Sequence, residues 1–316
     1  MEIDDVPNQK IVYRKETNKL SSMDAFAGKN NIAEITCTTA LNKLKRKIPY
    51  GWDLNIYRGC SHNCKYCYAI YSHDFLGEPD FSKVFVKKNI AELLDKELSS
   101  PNWNREIINI GGVTDSYQKA EEELKIMPDV LKILIKHKTP AIISTKSDLI
   151  LRDFDLIDEL SKITYVNVAS TITTMNEEDR KKIEPYSSTG LERFMMLKEF
   201  RKTNASVGLH TMPIIPYITD SYSNIESLCS QAKLSNVHYM LPGVLYLRGA
   251  TRKVFFEFIK DQYAAKYENI KELYKTGGAD KSYKDNLYNN IVNPLRAKYG
   301  ISSSYIMPLR EKMHTT

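Results

Sequence analysis

Three cysteines lie within eight residues of each other, at Cys60, Cys64 and Cys67. Their C-x3-C-x2-C spacing allows one loop to wrap three thiolates round a metal centre, and Gly59 lets the backbone turn tightly where the loop begins. The chain has five cysteines in all, an odd number that does not suit a disulfide framework. The cluster therefore predicts a metal site in a reducing compartment.

Three kinds of metal centre suit this cysteine loop. Zinc needs a fourth ligand, which His62 or His73 could supply. A ferredoxin-type four-iron, four-sulfur (4Fe–4S) cluster needs a fourth cysteine, but Cys37 and Cys229 are distant in sequence. A 4Fe–4S cluster held by three cysteines leaves one iron open, as catalysis at a metal requires. Cys229, near Leu228 on a predicted helix, is predicted to be a buried thiol.

Short β-rich runs alternate with amphipathic stretches and predict the elements that position this loop. The predicted strands are residues 53–57, 106–110, 140–145, 164–170, 206–212 and 237–246. The predicted helices are residues 87–98, 121–137 (split or restarted at Pro128), 153–162, 176–183, 191–202 and 224–234. This alternation predicts an α/β fold with a parallel sheet. Six such units favour a partial (β/α)6 TIM-like barrel over a full eight-fold barrel.

The chain divides into three predicted parts. Residues 1–40 are a polar N-terminal arm, residues 41–250 are the partial barrel, and residues 251–316 are a C-terminal helical extension. A helical pattern is also present within residues 31–50. In the extension, apolar and aromatic residues at helical spacing predict one helix over residues 252–275 and place its tyrosines in the core.

Composition and charge narrow the class of protein. With 42% apolar and 27% charged residues, the 316-residue chain resembles ordinary soluble globular proteins. No run approaches the roughly 18 apolar residues of a membrane helix, and the acidic start differs from a secretory signal, so we expect a cytoplasmic protein. Residues 241–316 contain 13 Lys and Arg against 7 Asp and Glu, with 8 of the 20 tyrosines. This mild positive excess permits an anionic partner without requiring one.

The cysteine loop resembles the C-x3-C-x-aromatic-C signature of radical S-adenosylmethionine (SAM) enzymes, with Tyr66 as the aromatic residue. Further matches point to the spore photoproduct lyase-related, DNA repair photolyase-like branch of that family. They are residues 52–69, 111–118, 144–153, 169–174, 184–185 and 212–220. The resemblance implies a 4Fe–4S cluster on the three cysteines, with SAM on the fourth iron. It also implies reductive cleavage of SAM to a 5′-deoxyadenosyl radical, which abstracts hydrogen from a substrate.

The resemblance also implies which residues bind SAM, and several of them fall at the carboxyl ends of predicted strands, where barrel active sites are built. Lys146 matches the family's SAM-binding lysine and is expected to pair with the methionine carboxylate. Ser170 matches a serine that contacts polar groups of SAM. The remaining expected contacts are the backbone of Gly111 and Gly112 and the side chains of Thr114 and Asp115 at the amino group of SAM, and Tyr66 beside the adenine.

The pattern departs from spore photoproduct lyases at Gly112. Those enzymes carry a further cysteine there, which gives a hydrogen atom to the product radical, and this chain has no cysteine between Cys67 and Cys229. The phenols of Tyr66, Tyr68 and Tyr117 are candidate substitutes. The resemblance thus supports the radical chemistry and weakens the thymine-dimer lyase interpretation.

Two classes of substrate follow. A nucleic acid is favoured by the family's repair chemistry and by the basic, tyrosine-rich residues 241–316, because tyrosines stack on bases and cations bind phosphates. The alternative is a peptide, a protein side chain or a small metabolite. A non-enzymatic zinc or iron–sulfur module leaves the motifs after strands two to four unexplained. The reductive chemistry implies a reducing partner such as flavodoxin or ferredoxin, and no membrane partner.

Overall fold

Ten strands form two sheets in a computed structural model of the chain, which describes residues 32–45, 50–76 and 78–305. The strands are β1 (Ile32–Ile35), β2 (Leu41–Lys43), β3 (Trp52–Leu54), β4 (Tyr57–Arg58), β5 (Val84–Lys87), β6 (Ile108–Ile110), β7 (Ala141–Thr145), β8 (Val166–Thr171), β9 (Ser206–Ile214) and β10 (Tyr239–Val244). The α-helices are α1 (Ile90–Leu98), α2 (Lys119–Leu124), α3 (Ile126–Lys136), α4 (Phe154–Ile163), α5 (Glu177–Ile183), α6 (Gly190–Phe200), α7 (Tyr222–Leu234), α8 (Gly249–Gln262), α9 (Tyr267–Leu273), α10 (Lys281–Leu287) and α11 (Asn293–Tyr299).

The larger sheet is the predicted partial barrel. Its strand order is β10-β9-β8-β7-β6-β3-β2, and all neighbours from β3 to β10 are parallel. Only β2 is antiparallel, against β3. The six parallel strands correspond to the six predicted ones, so the α/β partial-barrel prediction is confirmed.

At one edge of this open sheet, strand β10 is partly covered by a segment that follows α11. At the β10 edge, the backbone N–H of Met240 donates to the carbonyl of Ser302 at 2.9 Å, and Tyr239 forms a parallel bridge with Ser302. A separate, smaller sheet has the strand order β1-β5-β4. Among the described residues, no helix is long and apolar enough to cross a membrane.

The helical prediction within residues 31–50 is wrong for the part described. Strands β1 and β2 occupy it, because β1 pairs with β5 and β2 pairs with β3. The carboxylate of Glu97 also accepts the backbone N–H groups of Ala40 and Leu41. These tertiary partners outweigh a weak local helix preference. Residues 1–31 of the predicted arm, and residues 46–49, lie outside the described residues.

The predicted single helix over residues 252–275 is also wrong, because it breaks at Tyr263. The Tyr263 hydroxyl donates to Asp179 at 2.6 Å, and a short turn, Ala264–Lys266, leads into α9. The break lets α8 and α9 both face the core, where Phe255 and Tyr274 are fully buried. The predicted split of residues 121–137 is confirmed at Lys125 (φ 49°), three residues before the proline.

Two apolar cores hold these elements together. The larger core lies between the barrel strands and the helices packed on them, and it includes Leu287 of α10 and Leu295 of α11. The smaller core joins the C-terminal extension to the carboxyl edge of the barrel, where Tyr66 packs with Ile215, Leu245 and Phe255. The extension is therefore part of the structure round the cysteine loop.

Candidate active site

The cysteine loop follows β3 and β4 at the carboxyl edge of the barrel. Gly59 adopts φ +79°, and a Cβ there would stand 2.0 Å from the carbonyl oxygen of Lys83. The loop then turns so that the N–H of Cys60 donates to Phe81 at 3.0 Å. Cys60, Cys64 and Cys67 are free thiols, none of them fully buried. Burial raises the pKa of each thiol, that of Cys60 to about 12.

The loop between β6 and α2 clamps the start of the cysteine loop. Gln118 is fully buried, and its side-chain oxygen accepts the N–H of Ser61 at 2.7 Å. Its amide nitrogen donates to the carbonyl of Gly59 at 3.3 Å and to the Thr114 hydroxyl at 3.1 Å. The Thr114 hydroxyl in turn donates to Gly59. The structure thus directs Thr114, a predicted SAM contact, at the cysteine loop.

Asp115 joins the cysteine loop to the turn after β7. One carboxylate oxygen accepts the N–H of Lys146 at 2.8 Å and lies 3.2 Å from the His62 ring. The other accepts the Thr145 hydroxyl at 2.8 Å and the N–H of Tyr117 at 2.9 Å. Burial opposes ionisation, but His62 and these hydrogen bonds hold the pKa of Asp115 well below its usual range.

A second buried carboxylate, Glu184, contacts the aromatic residue of the loop. It is fully buried and forms a 2.8 Å ion pair with the equally buried Arg193. It also accepts the hydroxyl of Tyr66, while the neighbouring carbonyl of Ile183 accepts the N–H of Lys65 at 2.9 Å. Burial opposes ionisation, but Arg193 and Lys146 lower the pKa of Glu184.

Lys146 lies between these two carboxylates. Its ammonium group is 5.8 Å from the centre of the Tyr66 ring. Burial by itself disfavours the charged form, but the nearby Cys64, Glu184 and Asp115 outweigh it and raise the pKa of Lys146 to about 12. The structure therefore places the Lys146 ammonium group beside the aromatic residue of the cysteine loop.

The other predicted SAM residues have mixed surroundings. Ser170 is fully buried, and its hydroxyl donates to the carbonyl of Thr145 at 2.7 Å, so it supports the turn that carries Lys146. Gly111 adopts φ +84°, and its N–H donates to Leu54 at 2.9 Å. A Cβ on Gly112 would stand 2.6 Å from the Asp53 carboxylate. The space that a cysteine side chain would need at Gly112 is thus taken by Asp53.

The three candidate phenols differ in their exposure to solvent and in their contact with Gly112. The Tyr68 hydroxyl donates to the carbonyl of Gly112, although the residue is 62% exposed. Tyr66 and Tyr117 are buried. Tyr68 alone therefore combines exposure with contact at the position where spore photoproduct lyases carry the extra thiol.

The C-terminal extension closes one side of the cysteine loop. The hydroxyl of Thr251, at the start of α8, donates to the carbonyl of Cys67 at 2.8 Å. Arg248 is exposed three residues earlier, whereas the guanidinium of Arg252 donates to Tyr274 at 2.8 Å. Arg248, just before the extension, and Lys253 within it are thus exposed basic residues near Thr251 in sequence.

Exposed tyrosines surround this edge. Among the described residues, the tyrosines that are more than 40% exposed all lie in segments that come after a barrel strand; Tyr186 follows α5 and Tyr222 begins α7. This tyrosine rim consists of Tyr68, Tyr186, Tyr217, Tyr222 and Tyr246. Tyr263, Tyr267 and Tyr274, which lie between α8 and α9 or at the ends of α9, by contrast pack in or against the smaller core, as predicted.

Several residues of the site were missed at the sequence level. Gln118 and Glu184 lie inside matched motif segments, so those motifs pointed to them. His210, in the middle of β9, carried no signal in the sequence. Burial and the charge of Lys146 lower its pKa to about 4, so a neutral imidazole lies near Lys146. Thr251 lies outside every motif.

Comparisons with known proteins agree with this geometry. The family model of the radical SAM superfamily matches residues 54–228. An uncharacterized protein of Mycobacterium tuberculosis is 32% identical over 279 residues, covering 86% of this chain and 82% of that protein. An uncharacterized protein of Methanocaldococcus jannaschii is 30% identical over 249 residues, covering 78% and 88%.

Solved structures show the same fold. Spore photoproduct lyase complexed with dinucleoside spore photoproduct matches with a TM-score of 0.62 and 10% identity, over 89% of this chain and 85% of that one. A mutant of spore photoproduct lyase matches with a TM-score of 0.62 and 12% identity, over 85% and 79%. Since the family match spans more than half of the chain, the protein belongs to the radical SAM superfamily, and it shares its fold with spore photoproduct lyase.

Proposed function

We propose that the chain cleaves SAM reductively and takes a hydrogen atom from a nucleic acid bound at the carboxyl edge of the barrel. Membership of the superfamily implies a 4Fe–4S cluster and SAM as cofactors. When bound, the cluster supplies the electron that splits SAM into methionine and the 5′-deoxyadenosyl radical. The observation that carries the choice of substrate is the tyrosine rim.

The donor set supports a three-cysteine cluster over zinc. His73 packs against Phe81 and Phe85, and both ring nitrogens of His62 lie next to other polar groups. In the part of the chain that the structure describes, no three His, Cys, Asp or Glu side chains converge on a single ion. A 4Fe–4S cluster does not need such convergence, because each cysteine binds a different iron atom.

The chain's own residues would position SAM. Cys60, Cys64 and Cys67 would hold the cluster, and Lys146 would pair with the methionine carboxylate. The backbone at Gly111 and Gly112 would approach the amino group. The electron would come from a reducing partner such as flavodoxin or ferredoxin, in the cytoplasm.

The tyrosine rim supports a nucleic-acid substrate. Tyrosine rings stack on bases of any sequence, at about 1–3 kcal/mol per base. Tyr246 lies two residues before the exposed Arg248, and Tyr68 follows Cys67, whose carbonyl accepts the Thr251 hydroxyl. Tyrosine rings and the Arg248 cation in this region would suit the binding of unstacked bases and their phosphates.

Deuterium transfer tests this function. The reduced, reconstituted chain would be incubated with SAM and with deuterated single-stranded DNA, RNA or peptide pools. We expect label from a nucleic acid in 5′-deoxyadenosine, and weaker nucleic-acid binding in Tyr246→Ala but not in Leu191→Ala, an equally exposed control on α6. Label from the peptides alone would refute the nucleic-acid proposal.

Dinucleoside spore photoproduct tests one specific nucleic-acid reaction. Since Gly112 supplies no thiol, we expect no repair, or repair with by-products of an unquenched thymine radical. Clean conversion to two thymines at a rate unaffected by Tyr68→Phe would contradict this expectation. A Gly112→Cys variant must displace Asp53 before its thiol can act.

A further inference from the structure

The side chains of residues 111–118 point to a role other than contact with SAM. Thr114 and Gln118 bind the backbone at Gly59 and Ser61, and Asp115 reaches His62. Thr114, Asp115 and Gln118 therefore all face the cysteine loop.

Asp115 also reaches the turn that carries Lys146. Its carboxylate accepts the Lys146 N–H and the Thr145 hydroxyl, both at 2.8 Å. With the Tyr117 N–H and the His62 ring, four groups occupy its two oxygens. A carboxylate has about four acceptor sites, so these three hydrogen bonds and the His62 contact leave little room for the amino group of SAM.

We propose that Asp115 is a positioning residue that sets the placement of Lys146 relative to the cysteine loop. One buried carboxylate holds the Lys146 backbone and, through His62, the segment between Cys60 and Cys64. The inference rests on the proposed function, in which Lys146 binds the carboxylate of a SAM molecule whose cluster the loop carries. Asp115 then acts on SAM through Lys146.

An amide cannot replace this carboxylate. Two of its partners are backbone N–H groups, one on each oxygen, so an amide nitrogen would face a donor wherever it was placed. Asp115→Asn therefore keeps the size of the side chain while losing part of the link. The turn after β7 is then free to shift against the loop.

Glu97 offers a matched control. Its carboxylate also accepts two backbone N–H groups, from Ala40 at 2.7 Å and Leu41 at 2.9 Å. Glu97 lies on α1 and links that helix to the start of β2, and neither hydrogen bond reaches Lys146 or the cysteine loop. Glu97→Gln removes a similar carboxylate link elsewhere in the fold.

The test measures SAM binding in the full-length, anaerobically reconstituted protein. We expect Asp115→Asn to retain about four irons per chain, to bind SAM at least tenfold more weakly and to change the electron paramagnetic resonance spectrum of the reduced cluster with SAM. Glu97→Gln should bind SAM within twofold of wild type. Hydrogen exchange of the Lys146 N–H should accelerate in Asp115→Asn alone.

A double-mutant cycle with Lys146→Ala gives the decisive result. If Asp115 acts through Lys146, the double variant binds SAM no more weakly than Lys146→Ala alone. Additive losses, or wild-type SAM binding in Asp115→Asn, would overturn the positioning role. If Asp115→Asn does not fold, Thr145→Val removes one donor to the same carboxylate and should weaken SAM binding about threefold; unchanged binding there overturns the proposal. A wild-type chain that binds no SAM overturns the proposed function itself.

Discussion

Two buried carboxylates, Asp115 and Glu184, hold the cysteine loop in different ways. Glu184 pairs with Arg193, whose charge is permanent. Asp115 collects mainly uncharged N–H and O–H donors. Breaking a buried ion pair costs several kcal/mol, whereas one ordinary hydrogen bond contributes about 1 kcal/mol. The comparison teaches that the Glu184 side chiefly supplies stability and the Asp115 side chiefly supplies geometry.

The largest effect is expected from Arg193→Met. It leaves Glu184 buried without its cation, so the free energy of unfolding should fall by about 3–5 kcal/mol. Urea unfolding followed by fluorescence measures this. Lys298→Met, which breaks the exposed pair with Glu226, is the control and should change little. Equal losses of unfolding free energy in the two variants would contradict a special contribution of the Glu184–Arg193 pair to stability. The double variant Glu184→Leu with Arg193→Met should recover much of the stability lost in Arg193→Met.

Gln118→Leu tests the clamp on the Asp115 side. It leaves the partly buried Ser61 N–H without its partner, while the Gly59 carbonyl keeps the Thr114 hydroxyl, so we expect a loss of about 1–3 kcal/mol in unfolding free energy. Hydrogen exchange at Ser61 should accelerate. Gln231→Leu on α7 is the control. Unchanged exchange at Ser61 would show that the clamp is dispensable.

Lys146→Ala sharpens the comparison between stability and geometry. Losing a charge-assisted contact should weaken SAM binding by about 1.5–3 kcal/mol, with little change in unfolding. Equilibrium dialysis with labelled SAM measures the affinity. Lys119→Ala, an exposed lysine on α2, should bind SAM as wild type does. Unaltered affinity in Lys146→Ala would make its ammonium group irrelevant to SAM.

The smallest effect is expected from Thr251→Val. It removes the hydrogen bond to Cys67, worth about 1 kcal/mol, and should hasten loss of the cluster in air, followed by absorbance. Thr203→Val removes a similar bond, to Phe200 at the end of α6, away from the loop. If both variants lose the cluster at the same rate, the extension does not protect it.

The sequence predicted the barrel well because its signal is local. Each strand is a short β-rich run between amphipathic stretches, and the parallel order follows from their alternation. The segments that failed, β1 and β2 and the break at Tyr263, depend on partners far along the chain. Glu97 and Asp179 supply those partners. Such long-range contacts leave no signal in the local periodicity of the sequence.

The residues of the site also divide into those that sequence motifs predicted and those that only the fold reveals. The cysteine spacing and Lys146 were predicted from motifs, and the structure brings them together at one edge. Sequence does not tell which way a side chain in a loop points, so Thr114 and Asp115 were expected at SAM, whereas their hydrogen bonds run to the cysteine loop and the β7 turn. Thr251 became visible only once folding brought it next to Cys67.

The bridge between Tyr239 and Ser302 has a consequence for the exposed edge of the barrel sheet. An open barrel leaves an edge strand with unpaired backbone groups, which can recruit a strand from another molecule. Ser302 covers part of the β10 edge with the chain's own backbone. Shortening the chain to residue 300 would remove Ser302 and expose the backbone groups of that edge. We therefore expect such a truncation to promote edge-to-edge aggregation.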